Sequence, residues 1–204
     1  MAKHKSCDAV SVPTQYERPD LSLMQGYASR MSAAPEDYVG FRLTTGAANY
    51  KVTFRRAGRH GSVVGERADM SGRIQVCPDR PWEEGCDWDT DFYWIVPEGS
   101  PSGIYTAECT DTNDKTFHVP LIVKPRFDRK ADVAVLASTN TWHAYNGWGG
   151  MSAYSDPCAR TLSLDRPMPT ANPVGEGINH LTRAELWIID WLTDAGYPSD
   201  VYSD

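Results

Sequence analysis

The sequence predicts an α+β chain in two parts, an antiparallel β-sandwich followed by the opening of an α/β domain. Between residues 21 and 123, short runs alternating apolar and polar side chains recur with turn clusters between them. Residues 124–130, Lys-Pro-Arg-Phe-Asp-Arg-Lys, then interrupt the pattern with charge and a proline. Beyond them the period changes, from a compact apolar run at 133–137 to a helical pattern near residue 190. The expected organisation is a flexible lead-in over 1–20, a β-sandwich domain over 21–125 and the start of an α/β domain over 126–204.

The bulk properties narrow the function classes. The chain has 204 residues, 41% of them hydrophobic, and a net charge of -7. Its mean hydropathy is -0.48. An acidic chain releases few counterions from nucleic acid, so no nucleic-acid partner is expected. Basic residues gather at Arg55, Arg56, Arg59 and His60, and again at Lys124, Arg126, Arg129 and Lys130. These read as solvated strand ends and a linker. No apolar run approaches the roughly 20 residues a membrane helix needs, and no membrane partner is expected. The N-terminus lacks the apolar stretch of a secretory signal. The five cysteines (Cys7, Cys77, Cys86, Cys109, Cys158) are scattered and odd in number. They read mostly as reduced thiols of a cytoplasmic protein, with Cys77–Cys86 an option in an oxidising compartment.

Taken in order, the predicted strands are 38–44, 49–55, 73–77, 92–96, 103–109 and 116–123. Tyr50, Val52 and Phe54 share one face and Lys51, Thr53 and Arg55 the other. Thr45-Gly46-Ala47-Ala48 reads as a hairpin connection. Pro120 demands an edge or a bulge, because it offers no N–H to a neighbouring strand. Trp82, Trp88 and Trp94 read as sandwich core, with an exposed platform for sugar as the alternative. In the second part, residues 161–164 suggest a minor strand. Thr182 and Glu185 form a capping box, with Leu181 and Leu186 as a hydrophobic staple. The helix they open runs from about 183 to 195 and stops at Gly196. Its expected core stripe is Ala184, Ile188, Trp191 and Ala195, joined by Trp187 and Leu192. Residues 197–204 approach a second parallel strand. One strand and one helix cannot bury themselves. The chain is therefore expected to be the N-terminal part of something larger, or to complete its second domain with a second chain or in a homo-oligomer.

The chemistry-bearing stretch follows the apolar run. Residues 138–154 carry Asn140, Trp142, His143, Tyr145, Asn146, Trp148, Gly149, Gly150 and Tyr154. Polar and aromatic side chains at the C-terminal end of a buried strand are how open α/β sheets present ligand sites. A glycine-rich loop folded over the sheet end, with its tryptophans as packing, is the alternative reading. His143 lacks a partner at metal-ligand spacing, and Ser138 and Ser152 lack a recognisable base. Asp165 and Arg166 read as a local pair pinning the loop.

The run Asn140-Thr141-Trp142-His143-Ala144-Tyr145-Asn146-Gly147-Trp148-Gly149-Gly150-Met151-Ser152-Ala153-Tyr154 resembles a signature of the N,N-dimethylformamidase large (beta) subunit family. Similar residues recur at Gln25-Gly26-Tyr27, at Arg56 and Gly58, at Pro101-Ser102-Gly103-Ile104-Tyr105, at Leu164-Asp165-Arg166-Pro167 and at Ala195-Gly196-Tyr197. The resemblance runs from about Leu21 to the end and implies the N-terminal portion of such a protein.

It further implies an iron-dependent amide hydrolase, cleaving N-substituted formamides to formate and an amine, with a glutamine-amidotransferase-like α/β domain. The family's ferric ion (Fe3+) is held by two tyrosine phenolates and a glutamate. A hard trivalent ion lowers a phenol's pKa and polarises an amide carbonyl. Carried onto this chain, Tyr145 is the first candidate metal ligand, Tyr154 the second and Tyr197 a weaker third. Asn140, Trp142, Asn146 and Trp148 would contact a small amide substrate. No catalytic residue is assigned. The acidic ligand falls in a family segment that this chain does not reach, so inactivity of this chain alone is expected. The competing reading is a non-catalytic β-sandwich binding module for carbohydrate or a protein partner.

Overall fold

Aromatic residues on alternating strand positions set the architecture. A computed structural model describes residues 18–174 and 180–204, apart from the side chains of Thr182 and Arg183. Residues 1–17 of the expected lead-in, with Cys7, lie outside the described residues.

The first sheet has three antiparallel strands in the order β1 (Gln25–Ala28), β3 (Tyr38–Thr44), β6 (Phe92–Ile95). The second has five, β2 (Ser32–Ala33), β8 (Thr116–Val123), β7 (Gly103–Asp111), β4 (Asn49–Arg56) and β5 (Val63–Ser71), in that order. The two sheets share one core. Val39, Phe41 and Leu43 of β3 meet Val52 and Phe54 of β4, with Tyr105, Ala107, Val119 and Leu121 beyond them. Phe54 stacks on Trp94 with centroids 4.4 Å apart, and Phe41 stacks on Phe92 at 5.3 Å. Each such side chain contributes roughly 1.5–3 kcal/mol when fully buried.

That packing overturns the expected hairpin. β3 and β4 lie in different sheets, so 45–48 crosses from one sheet to the other. Face-to-face burial of two apolar faces outweighs the edge pairing that the short connection suggested. The expected strand at 73–77 is also replaced. β5 takes the place beside β4, while Gln75 braces Leu43 and Asp89 through its side chain. Pro120 sits where β2 has ended, since β2 pairs only with Ile122 and Val123 of β8. Among the described residues Pro120 therefore has no paired strand on that side, which suits a residue without an N–H. Of the three tryptophans, Trp94 is sandwich core, whereas Trp88 forms a separate cluster with Tyr27, Cys86 and Trp148. Trp82 is buried on the short helix α1 (Pro81–Glu84).

The second part holds β9 (Val133–Ala137), α2 (Thr139–Tyr145), α3 (Leu186–Asp194) and β10 (Ser199–Ser203). β10 pairs with β9 in parallel, as expected. Residues 161–164 form no strand. The expected loop after β9 begins as a helix, because α2 buries Trp142 and His143. The expected capping box rests on the Thr182 side chain, which lies outside the described ones; the backbone of Leu181–Glu185 makes a π-helical turn that runs on into α3. The Leu186 N–H bonds to the Leu181 carbonyl, so these two leucines share a face five residues apart. Both are buried. The extra residue rotates the helix, and Leu186, Ile189 and Leu192 face inward. Trp187 and Trp191 of the expected core stripe are instead 68% and 58% exposed.

This second core rests on the outer face of the five-stranded sheet. Ile104 of β7 and Ile122 of β8 point away from the sandwich interior and pack with Ala137, Trp142, Leu181, Ile189 and Val201. Ser102 bridges the parts, its hydroxyl donating to the Val123 carbonyl at 3.0 Å and accepting from the Val201 N–H at 2.8 Å. On the far side, the β4–β5 turn docks on α3. The Arg59 N–H donates to Asp190, and Arg59 and His60 both reach Asp194.

Candidate functional site

The site grows from the C-terminal end of the parallel pair. β9 ends at Ala137, and α2 starts one residue later with Ser138 at its N-terminal boundary. Two carboxylates secure this turn. Glu185 Oε1 accepts the Ser138 N–H at 2.7 Å, and Asp204 Oδ1 accepts from Asn140 N–H at 2.8 Å and Thr139 Oγ1 at 2.7 Å. Asp204 follows β10 directly, so strand pairing places it against the first turn of α2. A carboxylate there satisfies helix donors that have no partner within the helix.

After α2 the chain doubles back. Gly149 and Gly150 take φ values of 81° and 135°, in the region that favours residues without a Cβ. The return brings the Ala153 N–H to the Ala144 carbonyl at 3.0 Å. That single hydrogen bond lays Tyr154 beside Tyr145. Their rings stack with centroids 4.2 Å apart, and His180 tilts against Tyr145 at 5.1 Å. Hydrogen bonding with Tyr154 holds the Tyr145 phenol above its ordinary pKa. Tyr145 is 39% exposed and Tyr154 64%.

A buried cation holds the doubled-back chain. The Arg166 side chain is among the largest fully buried ones. Its Nη1 donates to the Trp148 carbonyl at 2.6 Å and the Met151 carbonyl at 3.3 Å. Its Nη2 donates to Asn146 O at 2.9 Å, and its Nε to Ser163 O at 3.1 Å. Burial lowers its pKa to about 10, so it stays charged at neutral pH. The expected Asp165–Arg166 pair is absent: Asp165 pairs with Arg42, and Arg166 serves backbone carbonyls instead. A guanidinium has five donors in a fixed fork, which suits a cage of carbonyls.

The other expected site residues occupy distinct places. Asn140 is exposed at the start of α2. Asn146 is fully buried, donating to Pro167 O and accepting the Trp148 N–H. Trp148 donates from its indole to Gln25 Oε1 at 2.6 Å. Trp142 is buried in the second core, with an indole nitrogen that finds no acceptor. His143 is buried with neither ring nitrogen bonded, and burial beside Arg166 pushes its pKa down to about 4. Tyr197 precedes β10, at the opposite end of the parallel pair from Tyr145, and does not join the phenol pair. Arg166, Gln25, Glu185 and His180 are the site residues that pattern reading of the loop missed. Gln25 and Arg166 did fall within the recurring family-like segments, which was the available signal.

The two phenols suit a hard cation, since phenolate oxygen is a hard donor. Among the described residues, no group of three or more His, Cys, Asp or Glu side chains stands ready to hold a metal. The fit is thus to a phenol pair with one neighbouring imidazole. Cys77, Cys86 and Cys109 are free thiols, so the optional Cys77–Cys86 bridge does not form. Burial raises the Cys86 and Cys109 thiols well above their usual range. Cys158 is disulfide-bonded. No helix among the described residues is long and apolar enough to cross a membrane.

Fold and site together define a mixed α+β protein, in which two packed sheets carry a parallel strand–helix unit with a phenol-bearing aromatic loop. The family profile described as N,N-dimethylformamidase beta subunit-like, C-terminal, matches residues 50–204, and the chain belongs to that family. A search of curated protein sequences found no match. Among solved structures, a variant of the superoxide reductase (neelaredoxin) from Ignicoccus hospitalis is similar at 13% identity and a TM-score of 0.30. The likeness covers 52% of this chain and 82% of that one, and at this level it carries no argument.

Proposed function

We propose that this chain is the phenol-bearing part of an iron-dependent amide hydrolase acting on N-substituted formamides. The observation that carries the reading is the stacking of Tyr145 on Tyr154 within the segment matched by the dimethylformamidase-like family. Bound there, a ferric ion would supply Lewis-acid polarisation of an amide carbonyl. The chain's own residues do the rest. Tyr145 and Tyr154 offer two hard oxygen donors, and His180 packs on the Tyr145 ring and limits its rotation. Arg166, Asn146 and Gln25 hold the loop that sets the spacing of the phenols. Asn140, exposed at the start of α2, is in this reading the contact for a substrate amide.

The parallel β9–β10 pair with its intervening α3 supports a glutamine-amidotransferase-like α/β unit in this reading. The family description names a beta subunit, which supports assembly with a further chain.

The test is spectroscopic first. Purified chain given ferric iron should develop a visible phenolate-to-iron band, and Tyr145→Phe should abolish it. Formate release from N,N-dimethylformamide should be followed in the same preparations, with and without added partner chains. A preparation that stays colourless with iron, or a band unchanged in Tyr145→Phe, overturns the proposal.

A further inference from the structure

The end of the parallel pair opposite the tyrosines holds a second feature. A cleft of about 880 Å³ opens where the sandwich meets the α/β unit, touching Ala131 before β9 and Ser199 at the start of β10. Its volume falls in the usual range of small-molecule sites, roughly 300–1,000 Å³. Pro101, Pro125 and Pro198 line it, and their fixed φ angles stiffen the walls.

The charges around it do not cancel. Four cations line the cleft: Arg56, Arg126, Arg129 and Lys130. Its three carboxylates have partners of their own. Glu98 and Asp128 both hold Arg126, each at 3.3 Å, and Asp200 accepts the Ala131 N–H at 2.7 Å. Arg56 gives a single N–H to the Ser102 carbonyl. Lys130 rests over the Phe127 ring at 5.7 Å. Among the described residues Arg56, Arg129 and Lys130 make no ion pair within 4.0 Å, though Arg129 lies near enough to Asp128 to help Arg126 lower its pKa. Four cations against three carboxylates leave the lining net positive, on a chain whose net charge is -7. A cleft with a net positive lining favours an anionic occupant.

We infer that this cleft is a binding site for a small multivalent oxyanion, a phosphate-bearing or polycarboxylate molecule, held by Arg56, Arg129 and Lys130. Arginine forks match both kinds of oxyanion, and lysine adds a compact point charge. The site is independent of the phenol pair, because β9 separates the two by its full length, about 16 Å for five residues.

The experiment is calorimetric titration of the intact chain with pyrophosphate and, in a second arm, citrate. Arg129 and Lys130 are exposed, so the double variant Arg129→Gln/Lys130→Gln should fold normally, checked by an unchanged melting temperature. A control, Lys51→Gln/Lys115→Gln, removes two exposed charges elsewhere on the sandwich. Saturable one-to-one binding, weakened at least tenfold in the first variant and kept in the control, supports the site. Preference for pyrophosphate assigns it to a phosphate-bearing ligand, and preference for citrate to a polycarboxylate. Absence of saturable binding in both arms, or equal weakening in both variants, overturns it.

Discussion

Tyr145 and Tyr154 lie ring against ring, with centroids 4.2 Å apart and planes 18° from parallel, although a glycine-rich turn separates them in the loop. Their hydrogen bond keeps the Tyr145 phenol protonated beyond its normal range. Metal ligation requires that proton to leave, so iron uptake should rise with pH. Tyr154→Phe should weaken iron binding by roughly tenfold or more without unstacking the rings. Iron titrations at several pH values, read by absorbance, check both outcomes. Equal uptake at all pH values would show that no phenol is deprotonated.

Arg166 should be the most stability-critical side chain of the loop. Arg166→Met removes a buried charge and strands carbonyls of Asn146, Trp148, Met151 and Ser163. The expected loss is roughly 3–5 kcal/mol by denaturant unfolding. Arg166→Lys should recover only part, because an ammonium cannot span the same four acceptors. A loss within experimental error would mean that water replaces the guanidinium at no cost.

Gly58 should couple the sandwich to α3. Its φ is 98°, and a Cβ there would stand 2.7 Å from Asp190 Oδ1. Gly58→Ala should cost roughly 1–3 kcal/mol from backbone strain and a displaced Asp190. Asp190→Ala loses the bond to the Arg59 N–H but makes room. The double variant should therefore be less destabilised than the two single losses summed. Strict additivity in a denaturation cycle would argue that the turn and helix do not touch in solution.

His118 should contribute to acid sensitivity. Burial in β8 lowers its pKa below 6.5, and its Nδ1 is buried without a partner. The unfolded chain then binds the proton first. Stability is full above about pH 6.5 and falls as pH drops through the window down to the folded-state value. His118→Gln should narrow the difference in unfolding free energy between about pH 7.5 and about pH 5. An unchanged difference would assign the acid limb to other groups.

Much of this molecule was legible in one dimension. Alternation at Tyr50, Val52 and Phe54 marked a strand with one buried face, and the apolar run before Ser138 marked the strand Val133–Ala137, although Ala134 and Leu136 are exposed where a buried strand was expected. Those signals are local, set by side-chain period and by where glycine and proline fall. The sequence by itself also determined the family, through the loop from Asn140 to Tyr154. What only the tertiary structure decided depends on partners distant in the chain. Whether 45–48 turns a hairpin or crosses between sheets rests on Phe41 and Phe54 meeting edge to face across the core. Whether Trp187 and Trp191 face inward rests on one extra residue in the π turn at Leu181–Glu185. Arg166 reads locally as the neighbour of an aspartate. It becomes the centre of the loop only when folding buries it, because a buried guanidinium must spend its donors on whatever acceptors the fold brings near.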